Sequence, residues 1–132
     1  MNWINILAVF VGSGLGGVCR YLVNKITFTN VQSPAGFPWG TFAVNIAGCF
    51  LIGLFSGLFS RYDSSSLVSP QIRLLLTVGF CGGFTTFSTF INESFIYFQS
   101  ANYLLAVVYI SASVISGFLL LYAGYALSQL QY

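Results

Sequence analysis

The residues able to do chemistry in this chain are few, and most lie inside long apolar runs. Asn45 sits in "GTFAVNIAG", and its side-chain amide offers two donors. Arg20 closes one apolar run and Glu93 lies near the end of another. Tyr109 and Ser113 are spaced i, i+4 and share a helix face, with Ser116 one step further round. Residues 79–90, "GFCGGFTTFSTF", put Gly79, Gly82 and Gly83 within five residues and then interleave hydroxyls with phenylalanines. Polar groups inside a bilayer are costly and by default suggest function. Each also has a plainer reading. An asparagine can simply bond two helices together, an arginine or glutamate can anchor at the interface, and a hydroxyl can return to its own helix's carbonyl.

The glycine cluster bears on position. Each glycine costs a helix roughly 1 kcal/mol relative to alanine, so three together predict a break. A break frees main-chain groups at mid-membrane depth, tolerated only where they are buried or face a cavity or ion. Freed carbonyls suit a hard cation such as Na⁺, and the next helix N-terminus suits an anion. Beyond the break, steps of 100° per residue place Thr85, Ser88, Thr89 and Asn92 on one face and Phe87 and Phe90 on the other. A phenyl ring's edge is positive and can face an anion that has shed water. With 14 phenylalanines in the chain, ordinary packing of these two rings stays open as well.

The elements that must position these residues are membrane helices. Of 132 residues, 57% are hydrophobic and 5% charged, against roughly 25% charged in soluble domains; the mean hydropathy is +0.87. The expected fold is an all-α membrane protein, a single domain over residues 1–132, with four transmembrane helices at about 4–22, 41–60, 72–98 and 103–127, the third broken. Turn signals in "NVQSPAGFP", "RYDSSSLVSP" and "QSAN" separate them. Gly12-x-x-x-Gly16, Gly53-x-x-x-Gly57 and Ser113-x-x-x-Gly117 are spacings that let helices approach closely in lipid. The opening "MNWINILAVF" has no basic n-region, so no cleaved signal peptide is expected. A net charge of +2 with no basic patch gives no reason to expect a nucleic-acid partner. Cys19, Cys49 and Cys81 are scattered and histidine is absent, so no zinc-type site is expected.

Orientation is normally set by excess Lys and Arg on the cytoplasmic side. Here one side carries Arg61 and Arg73, the other Arg20 and Lys25. This balance leaves a single preferred orientation open and also suits dual topology, with two copies pairing antiparallel. Four helices are few to enclose a polar path, which favours a dimer.

"GSGLGGVCRY", "PWGTFAVNIAGCFLIG" and "GFCGGFTTFSTF" together closely resemble the CrcB/Fluc fluoride channels. The likeness covers nearly the whole chain and the four-span plan. It implies an antiparallel dual-topology homodimer with two pores, passive fluoride export, strong rejection of chloride, and residence in a prokaryotic cell membrane. It implies a fluoride pathway of Asn45, Phe87, Phe90, Thr85, Thr86, Ser88, Thr89, Tyr109 and Ser113, with Arg20 and Glu93 at the aqueous vestibule. It implies a structural Na⁺ on the dimer axis held by the main-chain carbonyls of Gly82 and Thr85. One departure is Gly117, where some relatives extend the last span's polar track with a serine; Ser116 is adjacent but points elsewhere.

Three rival classes fit the residues less well. A small dual-topology proton-coupled multidrug exporter relies on a glutamate in its first span, and "ILAVFVGSGLGGVCRYL" has no acid. A structural subunit does not explain the polar centre of the third span. An enzyme is disfavoured by only two acids and no histidine.

Overall fold

The computed structural model describes residues 2–27, 36–62 and 68–130. Most of the first two expected connections, at 28–35 and 63–67, therefore lies outside the described residues. Every regular element among the described residues is helical: α1 Trp3–Ile26, α2 Trp39–Arg61, a third span running Pro70–Gln99, and α6 Tyr103–Gln129. All four are long and apolar enough to cross a membrane. Each runs past the expected bounds at one or both ends, and polar side chains cap the N-termini of α1, the third span and α6. The Asn2 side chain accepts from the Ile4 amide, Ser69 from Ile72 ahead of Pro70, and Asn102 from Leu105.

The third span is built in pieces. It begins as α3 (Pro70–Leu74), passes through π-helical turns at Leu75–Cys81, and closes with a short turn α4 (Gly82–Phe84). Thr85 and Thr86 are extended (φ −80°, ψ 161° and φ −148°, ψ 108°), and α5 (Phe87–Gln99) follows. The break is real but falls after the glycines, which are themselves helical with no positive φ. Gly79 and Gly83 are packing positions. A Cβ on Gly79 would stand 2.9 Å from the Gly12 Cα, and one on Gly83 2.8 Å from the Ser13 Cα. What opens the chain is instead a side chain from α2, described below.

The helices form two parallel pairs running in opposite directions. Gly12 and Gly16 of α1 lie against the stretch from Leu75 to Phe84; Gly53 and Gly124 let α2 and α6 meet backbone to backbone, and Gly57 makes room for the Ser128 side chain. Two of the small-x-x-x-small spacings thus act as expected. Late residues of the third span meet early residues of α2 and α6, where Phe90, Tyr97, Ala106 and Tyr109 form the buried aromatic core. Large hydrophobics cover the outside, from Trp3 and Phe10 to Phe118 and Tyr122, as a lipid-facing surface requires.

Candidate functional site

The break is held by Asn45. Its Nδ2 donates to the Thr86 carbonyl at 3.1 Å, and its Oδ1 accepts the Thr86 amide at 2.8 Å. The Thr86 amide, which an unbroken helix would send to Gly82, is thereby diverted. Asn45 is thus an inter-helix bond, and one hydrogen of its amide remains uncommitted by these contacts. The Thr86 hydroxyl turns to α5, accepting the Thr89 amide and pairing with the Thr89 hydroxyl at 2.8 Å. The Thr85 hydroxyl donates back to the Cys81 carbonyl at 2.9 Å.

Beside the break opens a cavity of about 490 Å³ between α2, the third span and α6. Asn45, Cys49, Thr85, Phe87, Phe90 and Ser113 are among its lining residues, with Gly82 at its edge. The Ser113 Oγ, also in this wall, is inaccessible and has no hydrogen-bond partner. The fold therefore brings Asn45, both phenylalanines, Thr85 and Ser113 to one place. The predicted two faces are only partly realised. Phe87 and Phe90 lie side by side at 6.1 Å, but Phe87 is 75% exposed and Phe90 8%. Ser88 and Asn92 are exposed, away from the tighter contacts made by Thr86 and Thr89. The helical wheel assumed a helix running from Thr85, whereas α5 starts at Phe87 and the packing of α6 decides which ring is covered.

Glu93 departs furthest from expectation. Its plainer reading is an interfacial anchor; instead it is 3% exposed. One carboxylate oxygen accepts the Thr41 hydroxyl at 2.7 Å and the other accepts the Tyr109 hydroxyl at 2.7 Å. Tyr109 is wholly buried, with the Phe90 ring edge-on at 5.1 Å. Thus Tyr109 points toward Glu93 while Ser113, on the same side of α6, meets the cavity. Ser116 donates to the Ala112 carbonyl of its own helix, so it does not extend the track past Gly117. Thr41 is the residue that the sequence reading missed. It lies four residues before Asn45 on the same face of α2, a spacing that would have pointed to it.

Arg20 does not snorkel. Helix α1 continues to Ile26, leaving Arg20 about 9 Å inside its end at 1.5 Å per residue. Its guanidinium donates to the Thr85 carbonyl at 3.2 Å, one of the two oxygens that the family resemblance gives to sodium. The other, on Gly82, has lost its helical donor to Asn45, and nothing stands within 4 Å of where a Gly82 Cβ would be. These are hard main-chain donors, and no group of three His, Cys, Asp or Glu able to hold a metal occurs among the described residues. Main-chain carbonyls are ligands of the kind a hard cation takes, and the Thr85 oxygen already faces a guanidinium.

Residues 7–125 match the family model described as CrcB-like protein, Camphor Resistance (CrcB). A relative from Phocaeicola vulgatus is 46% identical over 125 residues, covering 95% of this chain and 98% of that one. One from Chlorobium phaeobacteroides is 44% identical over 126 residues, covering 95% and 93%. A third, from Chlorobaculum tepidum, is 45% identical over 127 residues, covering 96% and 95%. Each of the three carries the name fluoride-specific ion channel FluC.

Proposed function

Because the chain belongs to the CrcB family, we propose that it is a fluoride-selective passive anion channel of a prokaryotic cell membrane, and that it catalyses no reaction. The name shared by relatives that cover almost the whole chain supports this reading. The structural observation that carries it is the wall beside the helix break, where the unpartnered Ser113 hydroxyl, Asn45 and the two phenyl rings meet. Fluoride is small and strongly hydrated. To leave water it needs close donors, which here are the Ser113 hydroxyl, the spare Asn45 hydrogen, the first-turn amides of α5 and the ring edges. Chloride, larger and less strongly hydrated, gains less from such close donors.

The finer assignments belong to the same proposal. The pathway comprises Asn45, Phe87, Phe90, Thr85, Thr86, Ser88, Thr89, Tyr109 and Ser113. Arg20 and Glu93 flank it as its charged groups. Within that set, Thr85, Thr86 and Thr89 act chiefly by shaping the break, since their hydroxyls are engaged locally. The cavity is open on one side and Phe87 projects from the chain, which favours completion by a second, antiparallel copy and two pores per dimer. The Gly82 and Thr85 carbonyls of one chain are too few to complete a cation's shell, so a structural sodium on the axis requires the second copy's pair. Bound there, it would neutralise carbonyl dipoles that the break leaves at mid-membrane depth. The membrane potential then drives fluoride outward at ~2.3 kcal/mol per 100 mV. The multidrug-exporter alternative is not favoured. The first span lacks its acid, and both oxygens of Glu93 are held by hydroxyls.

The test is efflux from proteoliposomes loaded with fluoride or with chloride. Rapid electrodiffusive fluoride loss with almost no chloride loss is expected. Chloride leaving as fast as fluoride would overturn the assignment.

A further inference from the structure

The Thr41–Glu93–Tyr109 cluster is shut off on two sides by aromatic rings. On the cavity side stands Phe90, 5.1 Å from the Tyr109 ring. On the side where α2 and α6 begin stands Phe37, 5.4 Å from Tyr109 with its plane at 84°. Behind Phe37 lie Trp39 at 4.5 Å and Phe42 at 5.3 Å. Under these covers Thr41 is 2% exposed and Tyr109 0%. The two covers are built differently. Phe90 belongs to α5, whose backbone bonds hold it. Phe37 belongs to the short non-helical stretch before α2, which a side chain ties down: the Tyr97 hydroxyl donates to the Gly36 carbonyl at 2.5 Å. Of the two, Phe37 is the ring that can stand aside without unwinding a helix.

From this we infer that Phe37 is the outer barrier of the polar route, and that the Tyr97–Gly36 hydrogen bond sets how often a small anion can pass it. The inference rests on the channel reading above. It adds two residues, Phe37 as a barrier and Tyr97 as a positioning residue, acting at the far end of the cluster from Phe90.

Tyr97→Phe is the discriminating variant. It deletes the tie and keeps the ring that packs at 6.2 Å on Tyr109, whereas Phe37→Ala would also hollow the aromatic core. Two readouts are needed. The first is fluoride efflux from proteoliposomes, with chloride as control. The second is acrylamide quenching of Trp39, which is 59% exposed beside Phe37, so it is read as a change from the parent's own quenching rate, in a Trp3→Phe background because the chain has 2 tryptophans. One lost tie of this kind predicts fluoride efflux about threefold to fivefold faster, Trp39 more readily quenched, and chloride still excluded because Phe90 stays in place. Faster quenching with unchanged or slower fluoride efflux would show that Phe37 is no barrier. Unchanged quenching would show that Tyr97 does not hold the segment. If the parent protein passes no fluoride, the channel reading falls and this inference with it, a result separable from the quenching comparison.

Discussion

Replacing Asn45 asks whether a side chain from α2 holds the third span open. The carboxamide makes two bonds to one residue, at 3.1 Å to the Thr86 carbonyl and 2.8 Å from the Thr86 amide. Asn45→Leu keeps the branched shape with larger methyl groups and removes both. Hydrogen bonds between membrane helices are worth about 0.6 kcal/mol on average and at most about 1.7. A buried amide or carbonyl left unsatisfied costs about 1–3 kcal/mol. The cavity beside Thr86 lets the freed groups find some solvation, so the lower parts of both ranges apply, and the pair amounts to about 2–3 kcal/mol. Asn45→Ala adds the loss of packed volume and falls further. Unfolding free energies of wild type, Asn45→Leu and Asn45→Ala in one detergent give the order directly. Hydrogen exchange over residues 82–90 gives the location, because exchange there should rise in both variants while the α2–α6 pair stays protected. An Asn45→Leu protein within about 0.5 kcal/mol of wild type, with unaltered exchange at the break, would refute the clamp and return the break to the glycines.

Other consequences follow from the same contacts. Asn45→Asp sets a carboxylate oxygen against the Thr86 carbonyl and a negative charge in the cavity wall, so fluoride efflux should fall at least tenfold, as it should for Phe90→Ile; unchanged efflux in both would reduce these residues to packing. Tyr109→Phe strips one of the two hydroxyls from Glu93, which should destabilise the protein by about 1–2 kcal/mol and slow fluoride efflux, and thermal unfolding beside the flux assay checks both. Gly83→Ala drives a methyl into Ser13 and should cost about 1–3 kcal/mol in any oligomeric state. Gly82→Ala meets nothing within 4 Å in its own chain, so a loss of dimer on size-exclusion chromatography would report a neighbour from a second copy, and an unaffected dimer would remove Gly82 from the axis. Labelling of single cysteines placed at the two termini should succeed from both sides of the membrane if topology is dual, and from one side if it is not.

How far the sequence discloses this molecule depends on the range of the forces involved. The four spans were legible because crossing hydrocarbon is decided by length and apolarity alone, and the caps Asn2, Ser69 and Asn102 mark where three of them begin. The glycine spacings were legible as packing in α1 and α2 for the same local reason. Propensity failed at "GFCGGFTTF" because two distinct jobs there share one stretch. Gly79 and Gly83 are small so that α1 can touch the backbone, while the unwinding two residues later is imposed by Asn45 from 41 residues away. No glycine count can separate those, and nothing in the local sequence announces the π-helical turns that precede them. Glu93 was misread for a related reason. Its position near the end of a span suggested water, but its depth is set by Thr41 and Tyr109 converging from two other helices. A lone acid near a span end is therefore weak evidence for an interface. An acid with a hydroxyl at the start of one neighbouring helix and a tyrosine near the start of another is better evidence for a closed polar cluster, and that pattern was present in the sequence. The partners had to be sought across helices, at the spacing where Thr41 precedes Asn45 by one turn and Tyr109 precedes Ser113 by one turn.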